Sequence, residues 1–158
     1  MFTFRELQPN DNAKIAAIVR KNLENAGLDI PGTAYFDAAL DHLSEVYGRN
    51  DSRYFVLENE TGQVVGGIGF ACFEALSDTA ELQKLYLDDC AKGSGLGYKM
   101  IAFIEDRMRE AGFKKSYLET HDNLASAIHI YQKSGYKEIP RPDFVGHSSM
   151  NRFFIKEI

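Results

Sequence analysis

The sequence predicts one α/β domain in which a mixed sheet is flanked by helices. Three observations carry that expectation. The chain has 158 residues, 44% of them hydrophobic and 26% charged, the size and balance of one globular unit with its own core. Runs of period two and runs of helical period alternate along it in the order β-α-α-β-β-β-α-β-α-β-β. No internal repeat, low-complexity tract or linker interrupts that order, which yields a mixed sheet with helices between some of its strands.

The elements follow in chain order. "FTFREL" (2–7) alternates phenylalanine with polar residues and reads as a short first strand. Pro9, Asn10 and Asp11 end it and start a helix over Ala13–Ala26, where Ile15, Ile18, Val19 and Leu23 keep helical spacing and Gly27 supplies the stop. Pro31 and Gly32 punctuate the link to a second helix, roughly 34–48, with Phe36, Leu40, Leu43 and Tyr47 along one stripe. "SRYFVLENETGQVVGGIGFACFEA" reads as two antiparallel strands around a Glu60-Thr61-Gly62 turn, and "AELQKLYLDD" (80–89) as a further strand. Leu96, Met100, Ile104 and Met108 then recur at four-residue steps in a helix that ends at Gly112. "KKSYLET" (114–120) returns to strand character, Leu124–Lys133 to helix, closed by Gly135. A short strand near Tyr136, a loop broken by Pro140 and Pro142, and a last strand, "SMNRFFIKEI", complete the chain.

Composition excludes several classes. No apolar run reaches the ~18 residues of a membrane span. The start, "MFTFRELQPND", has neither a basic segment nor an apolar one of the secretory type. Cys72 and Cys90 form no CxxC pair, and two thiols without a framework suit a reducing cytoplasm; Cys90 is read as filling space beside the loop it precedes. A formal charge of −5 argues against a nucleic-acid surface, which needs a basic footprint, and is compatible with a cationic substrate. His42, His121, His129 and His147 form no H-x-x-x-H or Cys/His grouping, so no metal site is expected.

The stretch with the clearest chemical content is "KGSGLG", residues 92–97, between a strand and a helix. A helix N-terminus exposes unpaired backbone N–H groups and the positive end of the helix dipole, and together these suit phosphate oxygens. Gly93, Gly95 and Gly97 would let the main chain approach such an anion with no Cβ in the way, and Lys92 would add a charge at the rim. Ser94, Leu96 and Tyr98 complete the loop and the first helical turn. A dinucleotide site would space its glycines G-x-G-x-x-G in an early βαβ unit, and a P-loop would need G-x-x-x-x-G-K-[ST]. Neither pattern is present. On the glycines alone, a tight β–α turn without a ligand stays open beside the pyrophosphate site.

The surrounding residues narrow that choice. "LQKLYLDDCAKGSGLGYKMI" resembles the acetyl-CoA signature of the GNAT family of N-acetyltransferases, in which a strand leads to [Arg/Gln]-x-x-Gly-x-[Gly/Ala] and a helix. Lys92, Gly95 and Gly97 fall on the key places; lysine keeps a donor there but loses the planar geometry of arginine or glutamine. "YLETHDNLASAIHIYQKSGYKEI" (117–139) resembles the later block of the same family, with Ala127, Ile128, Ile130, Tyr131, Gly135 and Tyr136 in register. Asn123 stands one residue before the place where many members carry an asparagine that contacts the cofactor. The resemblance covers essentially the whole chain and implies a GNAT-like fold, a mixed, mostly antiparallel central sheet flanked by helices.

It also implies chemistry. Acetyl transfer from a thioester to an amine requires that the thioester be held, its developing oxyanion stabilised, and protons managed at nitrogen and sulfur. By resemblance, main-chain groups of Leu85, Tyr86 and Leu87 pair with the cofactor's pantetheine arm like an added strand, and an N–H near Leu87 faces the thioester carbonyl. Their side chains read equally well as sheet core. Tyr131 takes the place of the tyrosine that protonates the departing thiolate; the plainer alternative is an aromatic packed within the helix layer. Glu81, read as sharing strand parity with Gln83, Leu85 and Leu87, stands where several members carry a glutamate that deprotonates the amine, against the alternative of a solvated carboxylate. His121 and Asp122, at the end of the next strand, are a further candidate pair for carrying a proton or binding substrate.

The resulting expectation is an enzyme that uses acetyl-CoA as donor and acetylates the primary amine of a small molecule or a protein directly. The first two helices and the 140–149 loop would form the acceptor side, and a homodimer is left open. The alternative is a non-catalytic acyl-CoA-binding or sensor domain on the same fold.

Overall fold

The computed structural model describes all residues, Met1–Ile158. Its seven strands are β1 (Thr3–Glu6), β2 (Ser52–Glu58), β3 (Val64–Cys72), β4 (Thr79–Leu87), β5 (Lys115–Thr120), β6 (Lys137–Ile139) and β7 (Arg152–Glu157). The helices are α1 (Asn12–Asn25), the single turn α2 (Leu43–Val46), α3 (Leu96–Glu110) and α4 (Ala125–Lys133). The strands form one sheet in the order β1-β2-β3-β4-β5-β7-β6. Only β4 and β5 run parallel; every other neighbouring pair is antiparallel. The element order predicts a mixed sheet, and the resemblance implies the mostly antiparallel arrangement found here.

Each face of the sheet has its own apolar layer. On one face α3 and α4 bury Met100, Ile104, Met108 and Tyr131 against Phe70, Leu82, Leu118 and Phe154. On the other, α1 buries Ile15, Val19 and Leu23 with Leu40, Leu43, Tyr54 and Val56. The start of α1 is held by Asp11, whose carboxylate accepts the Gln8 N–H at 2.8 Å and pairs with Arg5 at 2.7 Å. Its end is closed by Gly27 at φ +70, with Leu28 donating back to the Leu23 carbonyl.

The second helix expected over 34–48 is not continuous. Two 3₁₀ turns, Ala34–Phe36 and Leu40–His42, lead into the short α2. Asp37 breaks the run with extended backbone, φ −61 and ψ 126. Its carboxylate is drawn away by His147 at 2.9 Å and Lys84 at 3.5 Å. The apolar stripe therefore holds only in part: Leu40, Leu43 and Tyr47 are buried, while Phe36 is 60% exposed.

Two irregularities in the sheet create the functional geometry. Strand β4 pairs with β5 over three residues only, Thr79–Glu81 beside Lys115–Tyr117, after which the two strands diverge. In β4 itself, Gln83 opposes Gly69 and Tyr86 opposes Gly67, so three steps on β4 match two on β3. The extra residue is a β-bulge around Lys84, which adopts φ +50. The Tyr54 hydroxyl donates to the Lys84 carbonyl at 2.8 Å. Gly67 and Gly69 make room for that tyrosine: a Cβ on either would lie 2.4–2.5 Å from its side chain.

The bulge corrects the parity expected for β4. Leu82 faces the α3/α4 layer before it, and Leu85 and Leu87 face that layer after it. Tyr86 faces the α1 layer, as does Gln83, which accepts a hydrogen bond from Tyr47. Glu81 therefore shares its face with Gln83 and Tyr86, and not with Leu85 and Leu87.

Candidate functional site

The divergence of β4 from β5 opens a cleft of about 900 Å³, running from the end of α1 past the glycine loop to α4. Leu85, Tyr86 and Leu87 line it along the unpaired edge of β4. Asp88 donates its N–H to Val65 of β3 at 2.7 Å, so strand alternation turns the Leu87 N–H the other way, into the gap. The Leu87 carbonyl is occupied by the Asn22 side-chain amide of α1 at 2.9 Å.

At the far end of that edge the chain enters the glycine loop. Gly93 and Gly95 adopt φ +80 and +75, conformations that L side chains rarely reach, and a Cβ on either would meet nothing within 4 Å. Their positions are open towards a ligand. No acceptor in the chain takes the N–H groups from Gly93 to Tyr98, so the start of α3 presents a row of free donors. Gly97 has a different reason to be glycine: a Cβ there would lie 2.8 Å from the Ile130 side chain of α4, so its absence lets the two helices approach. Leu96 is a core residue, 3% exposed, that also lines the cleft. Ser94 returns its hydroxyl to the Ala91 carbonyl, Tyr98 is 40% exposed at the rim, and Lys92 pairs with Asp89 at 2.9 Å.

Tyr131 reaches the cleft from α4. The residue is 6% exposed, packs against Tyr136 and Phe154, and its hydroxyl makes no hydrogen bond within the chain. Burial raises this phenol above its ordinary value of 10.0. On the opposite face of the sheet lies a smaller cavity of about 150 Å³, lined by Glu81, Lys84, Glu119 and His147 among others. Glu81 is half-buried there and accepts one hydrogen bond, from Gln83 at 2.9 Å. Burial, opposed by that bond and reinforced by the nearby Glu119, pushes its carboxyl from 4.5 up to about 7.

Residues 20–136 fit the family model for the Acetyltransferase (GNAT) family. The chain is 39% identical over 137 residues to a protein of Escherichia coli K12 described as the uncharacterized N-acetyltransferase YjgM, covering 85% of this chain and 81% of that one. The chain belongs to the GNAT family of acetyltransferases. A GNAT acetyltransferase from Staphylococcus aureus Mu50 has the same fold, with a TM-score of 0.87 at 19% identity and 99% of each chain covered. A phosphinothricin acetyltransferase from Sinorhizobium meliloti, solved with acetyl-CoA, superposes with a TM-score of 0.77 at 19% identity, over 99% of this chain and 88% of that one.

Several sequence readings shift within this GNAT frame. His121 and Asp122 do not line either cavity. The His121 ring accepts the Asn123 N–H at 3.0 Å, and Asp122 is paired with Arg152 at 2.8 Å, so both serve the turn after β5. Asn123 lines the cleft, but its side chain donates to the Ala26 carbonyl at 2.9 Å and ties α4's entry to the end of α1. Cys90, read as filling space, is exposed, as is Cys72. No helix is long and apolar enough to cross a membrane.

Asp37, Lys84, Glu119 and His147 were not marked by sequence reasoning. Glu119 lines both the cleft and the smaller cavity. It accepts the Tyr117 hydroxyl at 3.0 Å and the N–H groups of Gly146 and His147 at 3.4 Å. Its signal was the "LET" of β5: two residues past Tyr117, the register partner of Glu81, it lies on the same face as the candidate base.

Proposed function

We propose that the whole chain, residues 1–158, acts as one acetyl-CoA-dependent N-acetyltransferase domain that transfers the acetyl group directly to a primary amine. The observation that carries this reading is the split between β4 and β5. It brings a row of free backbone donors and a tyrosine hydroxyl with no partner in the chain into one cleft, and leaves Glu81, its carboxyl pushed up to about 7, in the smaller cavity on the opposite face of the sheet. The residues fit acetyl-CoA: free N–H groups from Gly93 to Tyr98 suit a pyrophosphate, and the unpaired β4 edge suits an extended amide arm.

Bound acetyl-CoA supplies an activated acetyl group as a thioester with a thiolate leaving group. The chain's own residues then have separable tasks. Glu81 takes a proton from the acceptor's ammonium group onto its carboxylate, a role suited to a base that titrates near 7. The Leu87 N–H, turned into the gap, would serve as a hydrogen-bond donor to the thioester carbonyl oxygen. Tyr131 holds a proton at its hydroxyl oxygen and offers it towards sulfur. The Leu82, Leu85 and Leu87 side chains keep water from the opening. A non-catalytic acyl-CoA sensor would need the donor row but not a half-buried carboxyl with a raised pKa on the opposite face of the sheet.

The test has two arms, calorimetry with acetyl-CoA and a screen of primary amines followed by thiol release. Binding with transfer to at least one amine is expected; binding with no transfer across a broad panel would favour the sensor. The donor site has its own prediction. Gly95→Asp should weaken CoA binding about 10–50-fold by placing a carboxylate where phosphate belongs, with salt screening keeping the loss moderate at an exposed loop. Aspartate tolerates the left-handed backbone better than most residues, so folding should survive. Unchanged affinity in a folded Gly95→Asp variant would remove the glycine loop from the binding site.

A further inference from the structure

We propose that Glu119 selects the acceptor: facing Glu81 across the β4–β5 split, it supplies counter-charge for a cationic alkylamine that carries no carboxylate of its own. The inference rests on the acetyltransferase reading and adds to it the chemical class of the amine.

Four observations converge on Glu119. It is a charged residue that lines both the cleft and the smaller cavity, and so stands where an amine entering from one must meet a thioester lying in the other. Its carboxylate is oriented by three donors, Tyr117 from its own strand and Gly146 and His147 from the loop over the cavity. Across the same cleft the Tyr131 hydroxyl, on a residue 6% exposed, makes no hydrogen bond within the chain. Finally, the basic side chains that line the small cavity already have a partner: Lys84 and His147 both point at Asp37, at 3.5 and 2.9 Å.

That last pairing decides the sign of the substrate. An acceptor carboxylate would meet Glu81 and Glu119 and find Lys84 and His147 occupied. The nearby Arg141 is no substitute, since it donates to the Met150 and Ser148 carbonyls and lines neither cavity. An ammonium group meets two carboxylates instead. The cavity's volume of about 150 Å³ has room for about five groups of water size, enough for an amino head and a short aliphatic stem.

The test compares length-matched pairs of alkylamine and ω-amino acid as acceptors for the full chain with acetyl-CoA, reading kcat/KM for each. Wild type should prefer the alkylamine by about 10–100-fold, the range of one charge-assisted hydrogen bond. Glu119→Gln should shrink that ratio about tenfold, through KM for the amine more than kcat, and Glu119→Asp should retain most of it. A purely structural role would lower both acceptors together and leave the ratio unchanged. Equal use of both acceptors by wild type, or an unaltered ratio in Glu119→Gln, would overturn this inference while leaving the acetyltransferase reading in place. Acetyl-CoA binding without transfer to any amine would overturn the reading itself, and the inference with it.

Discussion

Tyr131→Phe is expected to lower kcat about 10²–10³-fold while leaving the fold and the affinity for acetyl-CoA nearly unchanged. The asymmetry follows from the side chain's surroundings. The ring packs at 6.0 Å from that of Tyr136 and 6.4 Å from that of Phe154, and phenylalanine keeps those contacts. The hydroxyl has no partner in the chain, so its removal breaks no hydrogen bond and strands no donor. Burial holds the phenol above 10.0, and above the ~8.5 of an ordinary thiol. Complete proton transfer to a thiolate is therefore uphill, and the favourable contribution is a hydrogen bond that strengthens as charge reaches sulfur. That argues for the lower part of the range usual for general acids, which extends to about 10⁴. An interaction made mainly in the transition state lowers kcat and kcat/KM together. Single-turnover rates measured beside calorimetric CoA affinity separate the cases: a wild-type rate would show that the hydroxyl is structural.

The conformation of the glycine loop was legible in the sequence because it is specified locally. A positive φ at Gly93 and Gly95 and a helix beginning at Leu96 need only neighbours in the chain to set them. The face occupied by Glu81 was not, and the reason is physical. Strand periodicity carries residue faces forward only while the count is unbroken, and the bulge at Lys84 adds one residue with no periodic trace. Its cause lies in another strand, where Gly67 and Gly69 admit the Tyr54 side chain that holds the Lys84 carbonyl. The glycines of "VVGGIGF" are the one visible sign of it.

The acceptor side was illegible for a related reason. Asp37, Glu81, Glu119 and His147 come from segments far apart in sequence, and their pairing exists only after the 140–149 loop folds over the sheet. The Asp37–His147 contact also broke the helix expected over 34–48. A side chain pulled towards a distant partner overrode an apolar stripe that was otherwise helical. Residues with a single local reading, such as Leu40 and Leu43, still fell in the core as the stripe predicts.

Glu81→Gln should have two effects of opposite sign. Catalysis should fall about 10²–10³-fold near pH 7–8, where wild-type Glu81 is ionised and the acceptor amine is still protonated. The loss should narrow as pH rises towards the amine's own pKa, because a neutral amine needs no base. It should also narrow below pH 7, where wild-type Glu81 is itself protonated. Stability should move the other way. Burial raises the folded-state carboxyl from 4.5 to about 7, so between those values the folded protein binds more protons than the unfolded chain and wild-type stability declines as pH rises. The substituted glutamine carries no charge to bury, and the variant should exceed wild type by on the order of 1–3 kcal/mol above pH 7, a figure discounted for the solvent that reaches a half-buried group. Below about pH 4.5 the advantage should vanish, since both states of the wild-type carboxyl are then protonated. Thermal unfolding at pH 4, 6 and 8, set beside pH–rate profiles, reads both effects from one variant. A variant slower at every pH by the same factor, with a Tm difference independent of pH, would show that Glu81 neither titrates near 7 nor takes the amine's proton. The opposite pattern would show a carboxylate kept at a functional site at the expense of stability, with the bulge at Lys84 deciding which face of the sheet it occupies.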